Sequence, residues 1–240
     1  MVNKAKQQGF TLVEIAIVLV IIGLLLGGIL KGQELVTAAR VRNLADQASG
    51  VQAAYYGFLD RYRAVPGDML PGNTCNTIGN TAPNCPGAGV GGNGDQVINT
   101  FPEAAAAWGH LAGAGFLQGS YPGVAANAAA YTAAAAPAAP TNPWNGFLLL
   151  GTSPDYVAAG PPRLALITGN QVPVNVMREY DVKVDDSFPD SGILRSALPV
   201  ATIFPTVGAE GAPSCVVGAV PNLIWNIPAA PVNCNGYYLF

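Results

Sequence analysis

Residues 10 to 30 read FTLVEIAIVLVIIGLLLGGIL, apolar throughout except for Thr11 and Glu14. As a helix, these 21 residues cross a hydrocarbon core of about 30 Å. Before them, the short polar stretch Met1 to Gly9 carries Lys4 and Lys6, which hold that end in the cytoplasm. Two ordinary readings compete, a secretory signal peptide and a simple signal anchor. The first is weakened because no small-residue cleavage site follows the run promptly and an acid lies inside it. Composition alone leaves the second open. A carboxylate at the centre of a membrane helix costs about 2.5 to 3.5 kcal/mol, so Glu14 marks a functional site.

The phrase GFTLVE, with Gly9 before Phe10 and Glu14 a turn into the apolar run, resembles the type IV prepilin signature. The resemblance implies that prepilin peptidase, a membrane-embedded aspartyl peptidase, cuts between Gly9 and Phe10 on the cytoplasmic side. It also implies N-methylation of the new Phe10 amine. Glu14 then becomes the assembly residue, pairing in the filament with the terminal amine of a neighbouring subunit and so satisfying a buried charge. Cleavage would remove Lys4 and Lys6, which resist extraction from the membrane. The implied partners are prepilin peptidase, other pilin or pseudopilin subunits in a homo- or hetero-polymer, an inner-membrane assembly platform and membrane lipid. The implied location is the bacterial inner membrane, single-pass with a cytoplasmic N-terminus and an extracytoplasmic head, then a pilus or periplasmic pseudopilus.

After Lys31 the sequence stays helical but becomes amphipathic. Val41, Leu44, Ala48, Val51, Tyr55, Phe58 and Tyr62 recur at alternating spacings of three and four, forming one apolar stripe. Gly50 and Gly57 interrupt a coiled coil there, so packing on the protein's own head is the expected use. Pro66 ends the run. A continuous helix over the 53 residues from Phe10 to Tyr62 would be about 80 Å long. The phrase FLDRYRAVPGDM resembles a junction common in one large group of bacterial pilins and secretion pseudopilins. Within the span, Gly23 with Gly27 and Gly28 with Gly32 have the GxxxG spacing that lets membrane helices approach closely, although Gly is frequent in such helices anyway. Low propensity also makes Gly23 to Gly28 the place where the helix unwinds most easily.

Charge is sparse and uneven. From Ala64 to Phe240 there are ten acids against four bases, net -6, whereas Lys31 to Arg63 is net +2. An overall net charge of -3 argues against nucleic acid as a partner, because phosphate binding needs clustered Lys and Arg. Thr100-Phe101-Pro102-Glu103 is a capping-box pattern opening a helix from Glu103 to about Ala114. Ala104 to Pro154 contains no Asp, Glu, Lys or Arg; contact with other subunits and a solvated loop explain this equally well. Ala125 to Pro140 reads as a low-complexity loop. Strands are expected at Phe147 to Thr152, Arg163 to Thr168, Ser214 to Val220, Asn222 to Ile227 and Gly236 to Phe240. Val172 to Val184 is ambiguous between strand and helix. Strands with few helices between them argue for an antiparallel sheet, with the stem stripe covering one face.

The fold expected is α+β and type IV pilin-like: a long N-terminal helix, half transmembrane and half amphipathic, packed on an antiparallel sheet with long loops. The boundaries expected are 1–9 for a cleaved leader, 10–63 for the helix with 10–30 in the membrane, and 64–240 for the head. Cys75, Cys85, Cys215 and Cys234 form no CxxC and have one histidine for company, so a zinc site is not expected. An even count beyond a membrane segment points to disulfides. Of three pairings, the local ones, Cys75 with Cys85 and Cys215 with Cys234, are expected. The second resembles the disulfide-bounded loop of many pilins.

Catalytic chemistry has little to build on. His110, the single histidine, reads as packed or exposed rather than as a base. Gly87, Gly89 and Gly92 match GxGxxG without a preceding strand and read as a loop. Asp185, Asp186 and Asp190 could bind calcium through oxygen ligands, as some secretion pseudopilins do in a head-domain loop. The segment resembles instead a DDG-x-P-x-x-G turn of related chains, with Ser187 in place of the usual glycine, and a structural turn without a cofactor is the expectation. The function expected is non-enzymatic: a structural subunit of a type IV pilus or type II secretion pseudopilus, polymerised through its N-terminal helix. A membrane-anchored extracytoplasmic module that captures a ligand or DNA without polymerising is the other class.

Overall fold

The computed structural model describes residues 11–79, 91–133, 137–158, 160–211 and 213–240, without the side chains of 74–76. The chain divides into two compact units, Met1–Arg40 and Val41–Phe240.

Helix α1, Leu12–Tyr62, begins in the first unit. Its most apolar stretch has a mean hydropathy of 2.8 and none of it is buried. From Leu12 to Leu30 the large apolar side chains are 46% to 86% exposed, a continuous surface that water does not tolerate. The helix stays regular across Gly23, Gly27, Gly28 and Gly32, where an added Cβ would meet no described neighbour. A lone helix that opened would leave amide groups unpaired with nothing beside them to compensate.

The second unit opens on the apolar stripe. Val41, Leu44, Ala48, Val51, Tyr55 and Phe58 are all buried, Ala54 joins them, and Tyr62 is half-buried. Phe58 stacks nearly parallel on His110 and meets Phe116 edge-on, while Tyr55 faces Phe240. Gly57, read as an interruption, makes room for a neighbour: a Cβ there would lie 2.8 Å from the Phe116 ring. The stripe therefore serves the head's own core.

Two short helices were not foreseen. Helix α2 is Pro71–Ile78, and α4, Ala128–Tyr131, lies inside the segment read as a low-complexity loop. Helix α3, Phe101–Gly113, begins with both halves of the capping box between Thr100 and Glu103. Its Ala104 to Trp108 and Leu111 are all completely buried. Absence of charge in α3 after Glu103 thus reflects burial in the core, where an unpaired charge would be costly. Tyr131 ties the layers together: its hydroxyl accepts from Trp108 Nε1 at 2.7 Å and donates to the Leu148 carbonyl at 2.8 Å.

The sheet is antiparallel, with strand order β1-β2-β6-β3, where β1 is Leu149–Ser153, β2 Arg163–Ile167, β3 Leu194–Ser196 and β6 Gly236–Leu239. Leu150 pairs with Leu166, Leu166 with Tyr238, and Tyr238 with Leu194. Leu149 and Leu150 are both fully buried, so β1 is covered on both faces and reads as a continuous apolar run. Between β2 and β3, the ambiguous segment forms helix α5, Val174–Val184, because Val174, Met177 and Tyr180 fall on one buried face. A second, two-stranded sheet pairs β4, Val216–Val217, with β5, Ile224–Trp225. Cys215 and Cys234 form a disulfide around this hairpin, spanning 19 residues with Cα atoms 5.7 Å apart. The Cys75 with Cys85 pairing lies outside the described residues.

Candidate functional site

Chemistry-bearing residues gather at three places, of which the first is the start of α1. Thr11 precedes the helix, and Glu14 stands three residues later. The Thr11 amide and hydroxyl both donate to Glu14 Oε2 at 2.8 Å, and the Glu14 amide donates back to Thr11 Oγ1 at 3.2 Å. This is a reciprocal capping box. The acid that looked unpaired in the apolar run satisfies the first turn of its own helix. Its signal, Thr-x-x-Glu, is present in the sequence and is the same one recognised at Thr100. Gly9 and Phe10 lie outside the described residues.

The second place is the junction below the stem. His110 is buried, and its Nδ1 accepts from the Gly67 amide at 2.9 Å. Burial pushes its imidazole down to about 4, so it is neutral and structural. Gly67 has φ of 93°, and a Cβ there would overlap the Glu103 carbonyl, so only glycine fits between the turn and α3. The buried carboxylate of Asp68 accepts from the amides of Gly94 and Gln96. Pro66-Gly67-Asp68 is thereby a fastening point: the proline ends the helix, the glycine touches α3, and the aspartate holds the loop around residue 95. Sequence reasoning assigned Asp68 no role.

The third is the acidic turn after α5. Asp185 Oδ2 accepts from the amides of Ile193 and Leu194, and Asp186 from the Phe188 amide and the Ser191 hydroxyl. Ser187 has φ of 70°, the left-handed region that favours the glycine usual at this place in the resembling motif. Gly192 has φ of 68°, and a Cβ there would overlap the Asp185 carboxylate. The turn is thus built around Asp185. Asp190 does not join the group: its Oδ2 accepts from the Leu223 amide at 3.1 Å, toward the β4–β5 hairpin.

In its place stands Asp181, from the last turns of α5. One carboxylate oxygen each of Asp181, Asp185 and Asp186 lie within 4.8 Å of one another. Asp181 is 0% exposed; its Oδ2 accepts from Trp225 Nε1 at 2.8 Å, and its Oδ1 takes no hydrogen bond of normal geometry from any described residue. Burial pushes this carboxyl up to about 7; the Trp225 indole and the Ser187 amide oppose that rise, and the charges of Asp186 and Asp185 add to it.

A fourth carboxylate shows the opposite balance. Asp155 accepts from the Ser153 hydroxyl and from the amides of Thr202 and Ile203 and the Thr202 hydroxyl. Burial would raise it, but these donors together hold it below the ordinary carboxylate range. It fastens the 202–203 segment beside β1.

Residues 4–30 match the family model of the prokaryotic N-terminal methylation motif, the type IV prepilin and pseudopilin signature. No curated protein and no solved structure matches the chain. An apolar helix with this motif at its start, followed by a small antiparallel sheet, makes an α+β fold consistent with the type IV pilin-like architecture.

Proposed function

We propose that this chain is the precursor of a structural, non-enzymatic filament subunit. Prepilin peptidase cuts it between Gly9 and Phe10, and the Phe10 amine is methylated. The subunit then polymerises through its N-terminal helix into a type IV pilus or a type II secretion pseudopilus, on an inner-membrane assembly platform. The reading rests on one observation: an apolar helical stretch, none of it buried, that lies within the matched motif and carries its one acid in the first turn. Such a surface suits lipid first and the helices of sister subunits afterwards, while the folded head stays outside the membrane.

Mass spectrometry of the protein from its native envelope tests this. The expected N-terminus is methylated phenylalanine, with residues 1–9 missing; an intact leader overturns the processing step. A processed chain that never enters sheared filaments or secreted pseudopili would instead favour the anchored binding module.

A further inference from the structure

Antiparallel pairing of Leu149 with Ile167 brings the start of β1 and the end of β2 to one end of the sheet. The loops that adjoin them, 142–147 and 168–171, meet there backbone to backbone. A Cβ on Gly146 would overlap the Asn170 carbonyl, and one on Gly169, whose φ is 77°, would overlap the Phe147 carbonyl. Asn142, which is buried, rivets the two loops. Its Nδ2 donates to the Thr168 and Asn170 carbonyls at 2.8 and 3.1 Å, and its Oδ1 accepts from the Trp144 and Gly146 amides at 2.8 and 2.9 Å. Asn170 ties on a third segment, its Nδ2 donating to the Thr206 carbonyl at 3.0 Å. Between the three lies a cleft of about 370 Å³, within the range of about 300 to 1,000 Å³ usual for small-molecule sites. Thr132, Asn145, Asn170, Gln171 and Thr206 line it with Phe147, and its described lining carries no Asp, Glu, Lys or Arg.

Three residues around this cleft hold a backbone that their side chains do not favour. Asn145, Gln171 and Thr206 have φ of 66°, 73° and 67°, the left-handed region that is uncommon outside glycine and least suited to a β-branched residue such as Thr206. All three are exposed, so burial does not call for them, and glycine would make the same turns without strain. Such outliers gather where a binding geometry is held ready. Asn170 adds a polar atom without an internal partner: its Oδ1 is buried and takes no hydrogen bond from any described residue. A rigid frame thus carries exposed amides and a hydroxyl in a costly conformation, which a gap left by packing would not need.

We propose that this cleft binds a neutral saccharide, as a mono- or disaccharide unit. Carboxamides and hydroxyls offer both donors and acceptors, as sugar hydroxyls do. A charged ligand would find no counter-ion in the described walls and would lose its hydration uncompensated. Phe147, half-buried, supplies the apolar surface on which the C–H side of a pyranose packs. An extended peptide docks along a strand edge or a helix groove, whereas every lining residue here lies outside the named strands and helices. The inference goes beyond the filament reading and does not depend on it, since the cleft lies wholly within the Val41–Phe240 unit and is complete in one chain.

The test uses the full-length protein in a detergent without a sugar headgroup. Neutral probes, namely glucose, galactose, mannose, N-acetylglucosamine and their disaccharides, are screened by saturation-transfer NMR, with glucuronate as the charged control and trialanine as the peptide control. At least one neutral sugar is expected to show saturable transfer, and neither control to do so. Gln171→Gly and Thr206→Gly remove side chains from the cleft and relieve the left-handed backbone. Each should therefore weaken that sugar about tenfold, the loss of one good hydrogen bond, while Tm holds or rises. A wild-type protein that binds none of the neutral panel overturns the proposal. Equal binding of glucuronate or trialanine does so too, as does a sugar that both variants bind as well as the wild type, since it then sits elsewhere on the molecule.

Discussion

Glu14 already has partners inside its own chain, the amide and hydroxyl of Thr11, and that changes how its role must be tested. Glu14→Ala removes the carboxylate half of the capping box as well as the charge, while the Thr11 hydroxyl still caps the helix, so the capping loss is smaller than the roughly 0.5 to 2 kcal/mol of a whole N-cap. Glu14→Gln keeps a capping box, since Gln serves at that position, and removes only the charge. An amine left unpaired in an apolar core costs about 3 to 5 kcal/mol, more than the cap. Both variants should therefore be processed normally and both enter filaments about a hundredfold less than wild type, read by immunoblot of sheared filaments. Incorporation of Glu14→Gln alone would make Glu14 a cap and nothing more. His110 gives a second test at this scale. Its folded pKa of about 4 lies below the ordinary 6.5, so between those values the unfolded chain binds the proton first. Its contribution is whole above pH 6.5 and falls by up to about 3 kcal/mol as pH drops toward 4. Asp181, raised to about 7, works in the other direction, losing stability as pH rises through that value, so a melting curve mixes the two. The imidazole NMR signal separates them: from pH 7.5 to 5.5 it should stay that of a neutral ring. Glu14 was legible because an acid is out of place among leucines. Asp68, Asp155 and Asp181 were not, because the donors that decide their roles lie 26 to 48 residues away in sequence.

Elements were legible where pattern and burial coincide. The stem stripe and the capping box at Thr100 needed only local spacing. The five expected strands all appear, though shorter, since a run such as Ser214 to Val220 contributes only Val216 and Val217 to a ladder. β3 escaped notice because Leu194-Arg195-Ser196 is three residues long and owes its state to pairing with β6. Ala125 to Pro140 misled more, since its composition suggested solvent while Ala125, Tyr131, Ala138 and Ala139 are in the core. Tyr131 is what makes that segment structural, and its hydroxyl serves α3 and β1 at once. Tyr131→Phe leaves the Trp108 N–H and the Leu148 carbonyl without this partner in a buried place. The expected loss is about 1 to 3 kcal/mol, measured by urea unfolding with an unchanged m-value.

At the scale of the molecule, the boundary between the two units falls inside α1, after Arg40, not at its end. A soluble version cut to begin at Val41 keeps the core intact and should fold. One cut to begin at Ala64, where the sequence placed the head, discards Val41, Leu44, Val51, Tyr55 and Phe58, all buried. Each such side chain contributes about 1.5 to 3 kcal/mol, and together they match the whole stability of an ordinary domain. The shorter fragment should aggregate or bind hydrophobic dye, and the longer one should elute as a compact monomer; a folded 64–240 fragment would show that the stripe is dispensable. Strand β6 imposes an order in time as well. It lies between β2 and β3, so the sheet has a gap at its centre until residues 236–239 exist. A ribosome must therefore translate through residue 239, with α1 already available to the membrane, before the four-stranded sheet can close. Until then Leu166 and Leu194 lack the strand that separates them in the finished sheet, and the window in which this protein needs protection from aggregation extends at least to the emergence of β6.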